Sequence, residues 1–238
     1  SNQKISASAI FKSIFTNKAL LGIIVAAIFV LLSQLTVMSL AGYVYPNVYG
    51  SAAAQSTASL LGTVVMLVVC APFASKLSAK FGKKELAMGS SILSALVWLV
   101  CLIWRPASVW GFVACYILAN IGMGFFNTII WAMITDVIDD AEVRNGVRED
   151  GTIYSVYSFA RKLGQAFSSG LVGALLGIIG YTEATAFDPA VTRGIFNMAC
   201  IAPIIGFVCI VLALAFLYPL NKKKVEENVA ELAARRNK

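Results

Sequence analysis

The sequence contains no histidine. It therefore lacks the commonest metal ligand and the commonest general base near neutral pH. Charge is scarce too: Asp, Glu, Lys and Arg make up 13% of the 238 residues, against 59% hydrophobic, where a soluble domain carries about a quarter charged. A single soluble core of this length could not hide so much apolar surface, so lipid is the solvent that fits. There is no H-E-x-x-H, Walker loop, G-x-S-x-G or dinucleotide fingerprint. Metal-assisted hydrolysis, nucleotide-driven pumping by this chain and serine-hydrolase chemistry have no motif to rest on. The five cysteines, Cys70, Cys101, Cys115, Cys200 and Cys209, lie in apolar runs without a C-x-x-C pair and read as small buried hydrophobes. Neither a cofactor nor a metal site is expected.

What is present is a set of six apolar stretches, near 19–43, 52–75, 86–104, 108–135, 153–180 and 194–218. Each is long enough to cross a hydrocarbon core of about 30 Å, which takes roughly 20 helical residues. Backbone groups in lipid must pair within their own segment, so the stretches are read as helices, and barrel-type alternation is absent. The expected fold is an all-α membrane protein of six transmembrane helices. Residues 1–18 form a cytoplasmic interfacial segment, 19–218 the transmembrane domain and 219–238 a cytoplasmic tail. Ile5, Ile10, Phe11, Ile14 and Phe15 suit an interfacial helix, and the scattered lysines before a long apolar run do not suit a signal peptide. The opening Ser1-Asn2, without methionine, points to a processed or trimmed start. Val225, Val229 and Leu232 recur at helical spacing in the tail, which reads as a short helix or a frayed end. Tyr45-Pro46-Asn47, Arg105-Pro106 and residues 182–193 are the expected outer turns, and Pro72 and Pro203 the expected kinks.

The net charge of +7 does not mark a nucleic-acid face, because the basic residues flank apolar runs. Seventeen of the nineteen fall on one side of the spans, from Lys4 to Lys238, and only Arg105 and Arg193 on the other. By the positive-inside rule both termini and the 76–85 and 136–152 loops are cytoplasmic. Six spans also require both termini on one side. The expected location is the plasma (inner) membrane, multi-pass, with the lipid bilayer as a partner.

Polar residues inside spans point to function. In the fifth, Ser155, Ser158, Lys162, Gln165 and Ser169 recur at steps of 3, 4, 3 and 4, which puts them on one helix face. Lys162 either lines a wet cavity or snorkels to the cytoplasmic interface. Arg161, turned roughly 100° away, is expected to snorkel or to meet a loop carboxylate. In the fourth span Asn120, Gly124, Asn127, Trp131 and Thr135 share a face. The amides can hydrogen-bond a hydroxylated solute and the indole can stack on a sugar, or the same groups can serve helix packing. Ser33, Gln34, Thr36, Gln55 and Ser59 read as interhelical glue. Gly173 and Gly177, flanked by Gly170 and Gly180, make a G-x-x-x-G expected to meet a neighbouring helix closely.

Two cytoplasmic loops carry a family resemblance. The first, with Lys76, Lys80, Gly82, Lys83 and Lys84, resembles the basic, glycine-containing loop after the second span of each half of major facilitator transporters. The second is more specific: Asp136, Asp139 and Glu142 at steps of three, then Asn145-Gly146, Arg148 and Glu149-Asp150-Gly151, followed by Tyr154-Ser155 and Lys162-Leu163-Gly164. It resembles the glycoside–pentoside–hexuronide:cation symporters, the melibiose-permease relatives. Asn17-Lys18 resembles the opening of that family's second half, and Asp140 stands where the family commonly has an aromatic. The resemblance implies a twelve-span carrier whose C-terminal half is this chain, partnered by an N-terminal six-helix half and moving a sugar-like solute with H+ or Na+ by alternating access. It implies solute contacts at Lys162, Ser158, Tyr157 and Asn127, and the helix-face reading adds Trp131, Gln165 and Ser155 as candidates. It also implies a cytoplasmic salt-bridge gate of Asp136, Asp139, Glu142, Arg144, Arg148, Lys80 and Lys83. The alternatives are a membrane-embedded enzyme, for which no nucleophile or metal set is visible, and a channel or structural membrane protein.

Overall fold

The computed structural model describes residues 7–238, without the side chains of Ala7, Ala9, Ile10, Phe11 and Ser13. Lys4, Ile5 and the side chains of Ile10 and Phe11, invoked above for an interfacial helix, lie outside what is described. Among the described residues every regular element is helical: α1 (Ala7–Thr16), α2 (Lys18–Tyr43), α3 (Ala52–Val65), α4 (Ala71–Phe81), α5 (Lys83–Trp104), α6 (Val109–Asn145), α7 (Asp150–Ile178), α8 (Pro189–Phe216) and α9 (Lys222–Arg236). Five helical stretches are long and apolar enough to cross a membrane: Lys18–Val48, Ala52–Phe81, Lys83–Trp104, Val109–Asn145 and Pro189–Phe216. The remaining long helix, α7, has 29 residues, but Arg161, Lys162, Gln165 and its serines dilute its apolar character.

Local chemistry accounts for the boundaries. Asn17 caps α2 by accepting the N–H of Leu20 at 3.1 Å, and Asn221 caps α9 by accepting the N–H of Lys224 at 2.9 Å. The turn expected at Tyr45-Pro46-Asn47 is a π-helical turn, Val44–Val48, continuing α2. A second π turn, Met66–Cys70, precedes Pro72, whose ring cannot accept the regular i−4 ladder. Pro203 lies inside α8, which continues through it. The largest revision concerns the expected 136–152 loop. Its first ten residues extend α6 to Asn145, and only residues 146–149 are non-helical. Arg144 bridges Asp140 one turn back, and Gly146 then takes the left-handed conformation, φ 74°, that ends helices well.

The helices pack in the order α7, α2, α8, α5, α6, α3, with α9 lying across the ends of α5 and α6. Glycines bring the backbones close where the order requires it. A Cβ on Gly22 of α2 would lie 2.8 Å from the backbone of Leu217 and Tyr218, and one on Gly124 of α6 2.7 Å from the Cys70 sulfur. Gly122 faces Ser94 and the Ser90 carbonyl of α5, and Gly206 of α8 faces Ser33. At one end Trp98, Phe112, Tyr116, Tyr45 and Phe196 form a ring cluster with centroids 5.4–6.4 Å apart. The two flanks are open. Leu60 on α3 and Leu67 in the following π turn are 66% and 67% exposed, and α7 presents Phe159, Phe167 and Ile178.

Candidate functional site

The polar face deduced for α7 is open. Ser155, Ser158, Lys162, Gln165 and Ser169 are all exposed, whereas Ile153, Val156, Tyr157, Ala160, Gly164 and Ser168 are buried. A Cβ on Gly164 would lie 3.5 Å from the Leu31 side chain of α2, an ordinary packing distance. Steps of 100° per residue separate the polar face from the apolar one carrying Phe159, Leu163 and Phe167. Gln165 and Ser169 line a recess of about 340 Å³ with Leu35 and Ser39 of α2. Across the exposed strip of α2 lies a second recess of about 210 Å³. Gln34, Ser59, Thr63, Tyr116, Asn120 and Asn127 supply its polar groups, from α2, α3 and α6. That volume is smaller than a whole ligand pocket, roughly 300–1,000 Å³, and suits one wall of a larger site.

The fourth-span residues divide in two. Asn127 donates to Gln34 Oε1 at 3.3 Å, so these amides tie α6 to α2 while still lining the recess. Gln34 and Asn120, read above as packing groups or left open between packing and solute contact, belong to this wall. One turn further along α6, Trp131 is 48% exposed. Its ring meets Tyr157 edge-on at 5.2 Å and stacks on Tyr154 at 6.3 Å. Among the described residues Arg161 meets no carboxylate. Its guanidinium lies 5.9 Å from the Trp131 ring centre and 5.8 Å from that of Tyr157, and donates to the Tyr157 hydroxyl at 3.3 Å. The aromatic faces attract the cation. The Tyr157/Arg161 spacing of four was a legible signal; Trp131, thirty residues earlier, was not.

Lys162 differs from Arg161. It starts about 18 Å along α7, at 1.5 Å per residue from Asp150, is exposed, and has no ion pair or hydrogen bond among the described residues. Among the described residues these helices present hydrogen-bonding amides and hydroxyls, an aromatic plate and two cations, Arg161 held in place and Lys162 without a partner. Such a surface can bind a polar, hydroxylated solute, and its cations favour negative charge.

The residues expected at the cytoplasmic gate cluster at one end of the bundle. Lys83 Nζ, at the start of α5, is 3.1 Å from Asp136 Oδ2 and 3.4 Å from Oδ1. Arg148 gathers Asp139 and Glu142 at 2.8 Å each and Asp150 at 3.0 Å. Glu142, then Asp139, hold its guanidinium further above its ordinary pKa. Arg144 is bound to Asp140, and Asp140 also accepts from Asn228 of α9 at 3.1 Å. Asp140 thus anchors the tail helix. Lys80 forms no ion pair among the described residues; its amine lies 5.1 Å from the Phe81 ring centre.

The comparisons with known proteins agree with this architecture. A family model described as MFS/sugar transport protein matches residues 1–222. The chain belongs to that family, a family of transporters and not of enzymes, and the resemblance read from residues 136–181 is thereby supported. The glucuronide carrier protein homolog of Escherichia coli (strain K12) is 29% identical over 223 residues, covering 92% of this chain and 48% of that protein. The uncharacterized symporter YjmB of Bacillus subtilis (strain 168) is 31% identical over 237 residues, 97% of this chain and 50% of that protein. The uncharacterized symporter YnaJ of the same organism is 31% identical over 176 residues, 74% and 38% respectively. The chain spans about half the length, or less, of these curated relatives.

Proposed function

We propose that this chain is the C-terminal half of a secondary transporter that couples movement of a sugar or glycoside to an H+ or Na+ gradient by alternating access. In this reading α7 is the sixth membrane span, because 29 residues exceed the roughly 20 needed and its polar face turns to the transport path rather than to lipid. Both termini are cytoplasmic, in a plasma (inner) membrane, and a second six-helix half covers the open wall. Coverage of about half of each relative supports such a partner.

The observation that carries the proposal is Lys162, an amine on an exposed polar helix face with no ion pair or hydrogen bond among the described residues. Buried by a second half, an ammonium needs a carboxylate, water or a bound solute. A carboxylate from that half would answer Lys162, and cation binding would compete for or rearrange the pair, placing solute and cation on one conformational equilibrium. Ser155, Ser158, Gln165 and Asn127 would bind hydroxyls, with Trp131 as the stacking platform, backed edge-on by the buried Tyr157. The relative named as a glucuronide carrier makes a carboxylated sugar the first solute to try, since Arg161 and Lys162 suit its charge. Asp136, Asp139, Glu142, Arg144, Arg148 and Lys83 would hold the cytoplasmic side closed until the halves rock. The enzyme and channel readings gain no supporting observation.

Uptake by the full-length protein in vesicles tests this. Lys162→Ala should lower gradient-driven uptake at least about a hundredfold, the cost of roughly 2.7 kcal/mol. Normal uptake by that variant refutes the role. Exchange of labelled solute in counterflow by the wild type marks a carrier, and its absence for every glycoside tried counts against one.

A further inference from the structure

The end of the bundle opposite the ion-paired loops is almost free of cations. Among the described residues only Arg105 and Arg193 are basic there, eighty-eight positions apart, and both line one cavity of about 350 Å³. Tyr49, Pro106, Thr192 and Phe196 complete its main walls, and no acidic residue lines it. Two guanidinium groups sharing a cavity repel one another unless an anion lies between them.

The cavity is built rather than incidental. The Tyr49 hydroxyl donates to the Pro106 carbonyl at 2.8 Å, fixing the α5–α6 turn. Arg105 is aimed by a bond from Nη2 to Asn197 Oδ1 at 2.6 Å and by its stacking 5.5 Å from the centre of Phe196. Its backbone is held at φ 49°, the one positive φ outside glycine among the described residues. Long side chains rarely adopt this conformation, and glycine is the usual residue after a helix in it. Keeping arginine there retains the guanidinium at a cost in backbone comfort. Arg193 is exposed and has no hydrogen-bond or ion-pair partner among the described residues, so its donors are free. The first turn of α8 adds the positive end of a 28-residue helix.

We propose that Arg105 and Arg193 form an oxyanion-binding site at this end of the protein, for a phosphate-like group held between two forked donors. It is separate from the wall that carries Lys162 and does not depend on the transport reading. The oxyanion has two possible sources, an anionic lipid headgroup or a free anion in solution.

The test uses the purified protein in two settings. In dodecyl maltoside, inorganic phosphate is titrated and the melting midpoint followed by tryptophan fluorescence. In nanodiscs of phosphatidylglycerol or phosphatidylcholine, retained lipid is counted by native mass spectrometry after detergent extraction. The site predicts a phosphate-dependent rise in midpoint, preferential retention of phosphatidylglycerol, or both. The first marks a free-anion source and the second a headgroup. Arg193→Gln, at a side chain with no partner to lose, should weaken whichever response is seen about tenfold. Arg105→Gly, which fits the local backbone, should fold and lose the response. Lys223→Gln, at the other end, should leave it unchanged. A wild type with neither response overturns the proposal, as does a response that survives both arginine variants or falls equally in Lys223→Gln.

Discussion

Helices α6 and α7 have similar sequence signatures but different surroundings. Each is long, each sets polar residues at steps of three and four, and each carries several glycines. In α6 the glycines are filled contacts: Gly122 meets Ser90 and Ser94, and Gly124 meets Cys70. In α7, Gly170, Gly173 and Gly177 have no atom within 4 Å of where a Cβ would be, while Gly164 alone touches α2. The polar side chains follow suit. Asn127 is tied to Gln34, whereas Lys162 is tied to nothing among the described residues. A periodic pattern therefore establishes that a face exists, not what covers it. Within this chain α6 is finished and α7 is not.

Four substitutions probe that contrast in melting experiments on the purified chain. Gly122→Val should cost most, about 3 kcal/mol, because its branched side chain drives into the Ser90 carbonyl and Ser94. Asp136→Ala, also on α6, should cost about 2 kcal/mol by stripping Lys83 of its buried partner; if it melts like the wild type, the pair contributes no stability. Arg161→Gln on α7 should cost about 1 kcal/mol, the worth of a cation over Trp131 and Tyr157, and should alter Trp131 fluorescence. Gly173→Ala should change the midpoint least, by under about 0.5 kcal/mol, since open space receives the methyl group. A loss at Gly173 as large as that at Gly122 would dissolve the contrast.

Much of the fold could be read from hydropathy. All six apolar stretches are helices, and the α7 polar face follows from the spacing of Ser155, Ser158, Lys162, Gln165 and Ser169. Hydropathy failed where charge sits on helix rather than loop. Asp136 to Asn145 look like a loop by polarity, yet Arg144–Asp140 and Lys83–Asp136 pairing lets them continue α6. The tail helix was ambiguous because its dock depends on Asp140 meeting Asn228, eighty-eight residues away. The site was partly legible for the same reason. Residues sharing one helix face, such as Lys162 and Gln165, could be grouped by arithmetic. The Arg161–Trp131 contact and the Gln34–Asn127 bond join separate helices, and no local rule predicts them. Arg105 shows a third limit: its positive φ occupies a place where sequence rules would put glycine.

The most direct measurement compares two neighbouring positions on α7, in full-length protein with its native cysteines replaced. Ser158→Cys lies on the polar face and Phe159→Cys on the apolar one, both exposed in this chain. If the polar face borders a water-filled transport path, a hydrophilic maleimide should modify the cysteine at 158 rapidly in membranes and leave that at 159 almost untouched, with a glycoside that is carried slowing the first reaction. Equal reactivity, or reaction at 159 with none at 158, would put the serine–lysine face against lipid and contradict the account.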